Sequence, residues 1–248
     1  MTTEAFYESD KALNEYLHFH YGEEETLPFG FGPKDALGYP VRCIRDCFST
    51  ENLNAHSRAL DLGCAVGRSS FELARHAGSV LGIDFSHRFI GAASSLKKDG
   101  RMPYQFLEEG CQWTQTEAII DPTIDRHRIE FQQGDACNLP DSLGCFDAVL
   151  MANLIDRLPN PGVCLERLAG LINKGGQLVI TSPYTWLEEY TPKNLWIGGP
   201  EHQTTEGLKD ILGPEFALLE QKNLPFLIRE HRRKYQWSVA EATIWKRL

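Results

Sequence analysis

One stretch limits what this chain can fold into: Arg58-Ala59-Leu60-Asp61-Leu62-Gly63-Cys64-Ala65-Val66-Gly67-Arg68-Ser69-Ser70. A short apolar run ends in an acid and two glycines and then opens a helical pattern, which predicts strand, tight loop and helix. Gly63 and Gly67 let the backbone turn sharply and approach a ligand with no Cβ in the way. The spacing is D-x-G-x-x-x-G, whereas a loop that feeds a pyrophosphate onto a helix N-terminus reads G-x-G-x-x-G, and Ala65 stands where a middle glycine often does. The Asp61 carboxylate suits a cationic amino acid and would repel a polyphosphate. Taken alone, the loop also fits any α/β protein with a glycine turn.

At 248 residues, 42% of them hydrophobic, the chain can bury one large α/β core. Its net charge of −9, with no basic stripe, disfavours a nucleic-acid partner. No apolar run reaches the roughly eighteen residues of a membrane span, and Met1-Thr2-Thr3-Glu4 does not read as a leader, so a cytoplasmic protein away from membranes is expected. The seven cysteines are scattered without a C-x-x-C pair, which favours reduced, buried thiols over zinc or disulfides.

In chain order, Phe6 to Tyr21 places Phe6, Leu13, Leu17 and Tyr21 near one helical face. His18 and His20 fall on different faces, so no metal site is expected there. Lys34 to Phe48 reads as a second helix interrupted near Pro40, and residues 1–54 as a helical cover. Ser79 to Asp84 is a second buried strand ending in an acid. Asp84 lies 23 positions after Asp61, where α/β nucleotide folds bind a ribose; it or Ser86 would equally cap the next helix. Residues 99–128 resemble a small inserted hairpin before a third strand, Arg128 to Gln132, which Gly134-Asp135-Ala136-Cys137 follows. Phe146 onward is a fourth strand whose polar groups, Asn153 and Asp156, appear at its carboxyl end. Val163 to Ile172 is helical and Lys174-Gly175-Gly176 ends it, before a fifth strand from Gln177 to Thr181. The tail offers a helix at Glu206 to Leu212 and three strand-like runs: Phe216–Gln221, Phe226–Glu230 and Gln236–Trp245. The alternation predicts a mostly parallel seven-stranded sheet with an antiparallel C-terminal strand, in one domain over 1–248.

An acid with a glycine loop at strand one, acids at strands two and three and a polar end at strand four resemble the class I S-adenosylmethionine-dependent methyltransferases, with their Rossmann-like fold. The resemblance implies S-adenosylmethionine as cofactor and S-adenosylhomocysteine as product. It implies cofactor contacts from Asp61, Gly63, Cys64, Gly67, Arg68, Asp84, Phe85, Asp135, Ala136, Asn153 and Leu154.

A narrower resemblance spans nearly the whole chain. Tyr7-Glu8-Ser9-Asp10-Lys11, Tyr16 to Gly22, Phe31 to Leu37, Pro40 to Cys43, Ser182 to Pro192 and Arg232 to Trp237 are similar to the methyltransferase family that completes ovothiol synthesis. That family is commonly fused behind an iron-dependent sulfoxide synthase, which implies a functional partnership with a separate synthase. The implied acceptor is 5-thiohistidine (4-mercaptohistidine), methylated on a ring nitrogen to give ovothiol A. Such an acceptor wants an arginine fork for its carboxylate and acids or aromatic faces for its ammonium. Arg42 or an arginine of 229–233, above all Arg233, is the expected carboxylate partner. Tyr7, Asp10, Tyr184 and Glu188 would shape the rest of the pocket, and a base, if any, comes from His20, Tyr184 or Asp156. The rivals are a methyltransferase of another small acid or amine, a nicotinamide-dependent oxidoreductase, and a non-catalytic partner subunit.

Overall fold

The computed structural model describes residues 6–248. Residues 1–5, which include the stretch read above for a leader, lie outside the described residues.

Strand β1 (Arg58–Leu62) is buried from Ala59 onward, and its neighbours β2 (Ser79–Asp84), β5 (Ile129–Gln133), β6 (Phe146–Ala152) and β7 (Ile172–Ser182) run parallel. Apolar runs of this kind form where both faces of a parallel sheet are covered. Alternation along β1 and β6 sorts the core in two. Ala59, Ala148 and Leu150 face a cluster with Phe71, Phe89 and Leu96, whereas Leu60, Val149 and Met151 face Cys164, Leu165, Leu208 and Trp245. The last two strands, β8 (Phe216–His231) and β9 (Lys234–Arg247), complete a seven-stranded sheet ordered β5-β2-β1-β6-β7-β9-β8, in which β9 is antiparallel to both neighbours. The chain starts in the middle, builds outward to β5, then returns to the other side of β1. Such a reversal leaves a crevice at the carboxyl ends of β1 and β6.

Helices α1 (Asp10–Tyr21) and α2 (Tyr39–Arg45) stand over that end. Ser9 starts α1, its hydroxyl accepting from the Ala12 N–H at 3.1 Å. The insert is a hairpin of β3 (Arg101–Glu109) and β4 (Gln112–Ile119), outside the main sheet, and it braces α1 from behind. The Gln105 N–H donates to Asn14 Oδ1 at 2.8 Å, and the His18 ring stacks on Phe106 with centroids 4.3 Å apart. His18 is therefore spent on the hairpin, while the other side of α1 is left for the crevice.

Three boundaries differ from the sequence reading. Pro40 sits in the first turn of α2, where its missing N–H costs nothing, so the helix begins there and is not interrupted. Lys174-Gly175-Gly176 lies within β7, not at a helix end. Helix α5 (Pro161–Arg167) has already stopped, and residues 173–176 bulge out between the Phe146–Ile172 and Ala148–Gln177 pairings. The two runs around Phe216 and Phe226 form one strand, because β9 supplies partners along its length apart from bulges at Leu218–Glu220 and Arg229–His231. No helix among the described residues is long and apolar enough to cross a membrane.

Gly67 opens α3 (Arg68–Leu73) at φ +85°, and a Cβ there would lie 2.6 Å from Phe131 Cζ and 3.2 Å from Ala93 Cβ. Gly67→Ala is expected to lower stability by about 2–4 kcal/mol through backbone strain plus overpacking. Urea denaturation reads this as a lower midpoint at unchanged slope, with partial recovery when Phe131→Leu is added.

Candidate active site

A cavity of about 730 Å³ opens at the carboxyl ends of β1, β2, β5 and β6. After β1 the chain turns at Gly63 (φ +79°), whose N–H, like that of Cys64, donates to Ile83 O at 2.8 and 3.0 Å. Ala65, in the slot where a middle glycine often stands, takes the left-handed conformation itself at φ +47°. Asn153 after β6 (φ +51°) and Tyr184 after β7 (φ +53°) do the same. A non-glycine residue pays strain for this conformation, and all three cases fall at strand carboxyl ends.

The acids at the strand ends are held but not saturated. Asp84 Oδ2 accepts the Ala65 N–H at 2.8 Å and its Oδ1 the Ser86 N–H at 2.9 Å, which leaves each oxygen a further lone pair. Asp61 Oδ2 accepts from Ser70 Oγ at 2.6 Å, and Asp135 Oδ1 from the Cys137 N–H at 2.8 Å. Burial, opposed by the Ser70 hydrogen bond, pushes the Asp61 carboxyl up to about 7. Burial pushes Asp84 up to about 6 against its backbone donors. Five acids line the cavity (Asp61, Asp84, Asp135, Asp156, Glu189) against one arginine, Arg157. The wall thus wants cations and hydroxyl donors and would repel a pyrophosphate. Spare acceptors on Asp84 match a pair of ribose hydroxyls, and the acidic crevice beside Gly63 matches an ammonium or sulfonium, so the residues present fit S-adenosylmethionine.

The opposite side is aromatic. Tyr7, Tyr16, Phe19 and His20 reach in from the N-terminal segment, Tyr39 and Pro40 from α2, and Phe226, Ile228, Gln236 and Ser238 from the last hairpin. Tyr16 packs on Phe89 at 4.6 Å and Tyr39 on Phe226 at 4.9 Å. The Tyr39 hydroxyl lies 2.6 Å from Thr181 Oγ1 and donates to Asn153 Oδ1 at 2.8 Å, which fixes the Asn153 amide. Burial, then the nearby Arg68 charge, lowers His20 to about 3, so its imidazole is neutral. The Tyr21 hydroxyl donates to Val66 O at 2.9 Å and ties α1 to the glycine loop.

Of the residues expected from sequence, Asp61, Gly63, Cys64, Asp84, Phe85, Asp135, Ala136, Asn153 and Leu154 lie on this wall, as do Tyr7, His20 and Asp156. The others do not. Gly67 is behind the loop against Phe131, and Arg68 lies over the Tyr21 ring at 5.8 Å. Arg42 donates to Leu37 O and Pro225 O, locking α2 to β8. Asp10 is exposed and paired with Arg88. Arg233 sits in the exposed β8–β9 turn, and Arg229 is buried against Glu108 at 2.7 Å. The left-handed turn at Tyr184 sends its hydroxyl away to Glu241 Oε2 at 2.8 Å, and Glu188 gives way to its neighbour Glu189. Asp156 reaches the cavity, where its Oδ2 takes the Thr185 N–H at 3.0 Å and Arg157 Nη1 at 2.9 Å while its buried Oδ1 has no partner among the described residues. Tyr16, Arg157, Glu189 and Tyr190 were missed. Tyr16, Glu189 and Tyr190 fell inside stretches already singled out, but nothing local marked Arg157.

Residues 60–180 match the family model for a methyltransferase domain. Ubiquinone biosynthesis O-methyltransferase of Dechloromonas aromatica is 28% identical over 128 residues, 52% of this chain and 45% of the relative. Demethylmenaquinone methyltransferase of Oceanobacillus iheyensis is 24% identical over 138 residues, 54% and 48% respectively. The chain thus spans about half the length of the curated relatives it matches. Among solved structures, the N-methyltransferase NodS of Bradyrhizobium japonicum with bound S-adenosylhomocysteine superposes with a TM-score of 0.55 at 16% identity, covering 95% of this chain and 98% of that one. Magnesium protoporphyrin IX methyltransferase of Synechocystis, with bound S-adenosylmethionine, gives 0.54 at 16%, covering 97% and 98%. These likenesses establish the Rossmann-like class I fold.

Asp61 and Asp84 hold protons more tightly in the folded chain than at their ordinary value of 3.8. Their contribution to stability is therefore present below about pH 4 and lost as pH rises through 6 and 7. Ligand donors prefer the ionised acids, so S-adenosylhomocysteine is expected to bind roughly three- to tenfold more tightly at pH 7.5 than at 5.5. Calorimetric titration checks this, and Asp84→Asn should remove the Asp84 part of the pH dependence while the part due to Asp61 remains.

Proposed function

We propose that this chain, a class I S-adenosylmethionine-dependent methyltransferase by its domain match and fold, methylates an imidazole nitrogen of 5-thiohistidine to give ovothiol A. One observation supports the acceptor: the aromatic half of the cavity is built from the segments that resemble the ovothiol-forming family, contributing Tyr7, Tyr16, Phe19, His20, Pro40, Pro183, Thr185, Glu189 and Tyr190.

When bound, S-adenosylmethionine supplies a methyl group on a cationic sulfur that leaves as a neutral thioether. Asp84 would take the ribose hydroxyls, Asp61 and the loop at Gly63 the amino-acid end, and Asp135 the adenine amine. Tyr39 keeps the Asn153 side chain in one orientation beside the reacting atoms. Flat aromatic faces at Tyr16, Phe19 and Phe89 hold the acceptor ring edge-on. Its nitrogen, and not its more nucleophilic sulfur, then meets the methyl; alignment of this kind is worth up to roughly 7–11 kcal/mol against the solution reaction. An acceptor whose thiol is ionised ends as a methylated imidazolium beside its own thiolate. No base is then needed, in keeping with a His20 whose proton affinity burial has lowered.

Incubation with S-adenosylmethionine and 5-thiohistidine, beside histidine as control, is expected to add one methyl to the thiolated compound alone, read by mass spectrometry and assigned to nitrogen by NMR. Methylation of a phenol or another amino acid in its place would replace the acceptor. Binding of S-adenosylhomocysteine with no product from any acceptor would favour the partner-subunit reading.

A further inference from the structure

An acceptor with an amino-acid head needs a cation, and none of the arginines nominated by the sequence lines the cavity. Arg42 holds backbone carbonyls, Arg229 and Arg232 pair with Glu108, and Arg233 is exposed in the β8–β9 turn. Arg157 is the single Arg or Lys among the described residues lining the cavity. It projects from the turn after β6, four residues beyond Asn153.

We propose that Arg157 is the carboxylate anchor of the acceptor, which makes the substrate class an α-amino acid or other small carboxylate carrying a ring. The guanidinium is pinned by one nitrogen. Nη1 donates to Asp156 O, Asp156 Oδ2 and Thr185 O, each at 2.9 Å. Among the described residues no acceptor pairs with Nε or Nη2, and the side chain is 27% exposed. Those two nitrogens form the side edge of the guanidinium, and their N–H bonds lie parallel at the spacing of a carboxylate's oxygens. Asp156, 1% exposed, holds the group from below, and the Tyr190 ring lies 4.8 Å from the guanidinium carbon. The fork is thus fixed before any ligand arrives, so a carboxylate loses little by ordering it. The acids at the strand ends repel a carboxylate and the aromatic side offers it no cation, so one orientation of the acceptor is selected. Asp156 is a positioning residue in this arrangement, because its contact with the ligand runs through Arg157.

The anchor rests on the proposed methyl-transfer reading only for where the acceptor lies, so binding and turnover are measured separately. L-histidine and histamine differ by the carboxylate alone. On protein loaded with S-adenosylhomocysteine, calorimetry should show L-histidine binding roughly 30-fold or more tightly than histamine, a charge-assisted fork's worth. Arg157→Leu should bring the two within about threefold, Arg157→Lys should recover part of the gap, and S-adenosylhomocysteine affinity should stay within about threefold of the parent. In turnover, Arg157→Leu should raise KM for 5-thiohistidine far more than it lowers kcat. Equal binding of the two probes by the parent would overturn the anchor. So would an Arg157→Leu chain that keeps the preference, or one that loses S-adenosylhomocysteine affinity by the same factor, which would place Arg157 on the donor. A preserved, Arg157-dependent preference with no methylation of 5-thiohistidine would leave the anchor standing and remove that acceptor.

Discussion

Burying two carboxylates at the open end of a parallel sheet, with too few donors to satisfy them, is the constraint around which this chain is arranged. Asp61 and Asp84 end adjacent strands, and burial raises both above their ordinary range. An arrangement that costs stability in the empty fold persists where a ligand offsets it. Around these acids the backbone is also strained, with Ala65, Asn153 and Tyr184 in left-handed conformations at the ends of three strands. The rest of the fold supplies rigidity: two apolar layers clamp the sheet, and α1 and α2 close the crevice from above.

The acid-lined half of the cavity was legible because its information is local. Each strand is a short apolar run, its end is marked by an acid or a glycine, and the sheet's polarity places every such end on one edge. Asp61, Gly63, Asp84, Asp135 and Asn153 need nothing more than that to reach the cavity. The acceptor half is made by segments far apart in sequence, where the side that a residue faces depends on one turn. A left-handed φ at Tyr184 sends its hydroxyl to Glu241, and a shift of one position exchanges Glu188 for Glu189. Arg42 has the right chemistry and the right neighbourhood, yet Leu37 and Pro225 offer it carbonyls first. Arg157 carried no local mark; Asp156, Thr185 and Tyr190 make it a fixed fork, and two of these come from beyond β7.

The inserted hairpin explains a further division. By stacking Phe106 on His18 and binding Asn14, it holds α1 through residues the crevice does not use. Tyr16, Phe19 and His20 can then be presented inward at a fixed height, and a single hydrogen bond from Tyr21 to Val66 joins that cover to the donor loop. The aromatic cover and the acid-lined strand ends are in this way set by different pieces of chain.

The acid-rich wall has a kinetic corollary on the proposed reading. A donor arrives with a positive sulfur and departs with a neutral one, while five carboxylates and one guanidinium line the cavity throughout. Fresh and spent cofactor thus differ by one unit of charge in a site whose field favours the cation. The same residues that draw the donor in loosen their hold once the methyl has gone, so the wall itself biases exchange toward the next turnover.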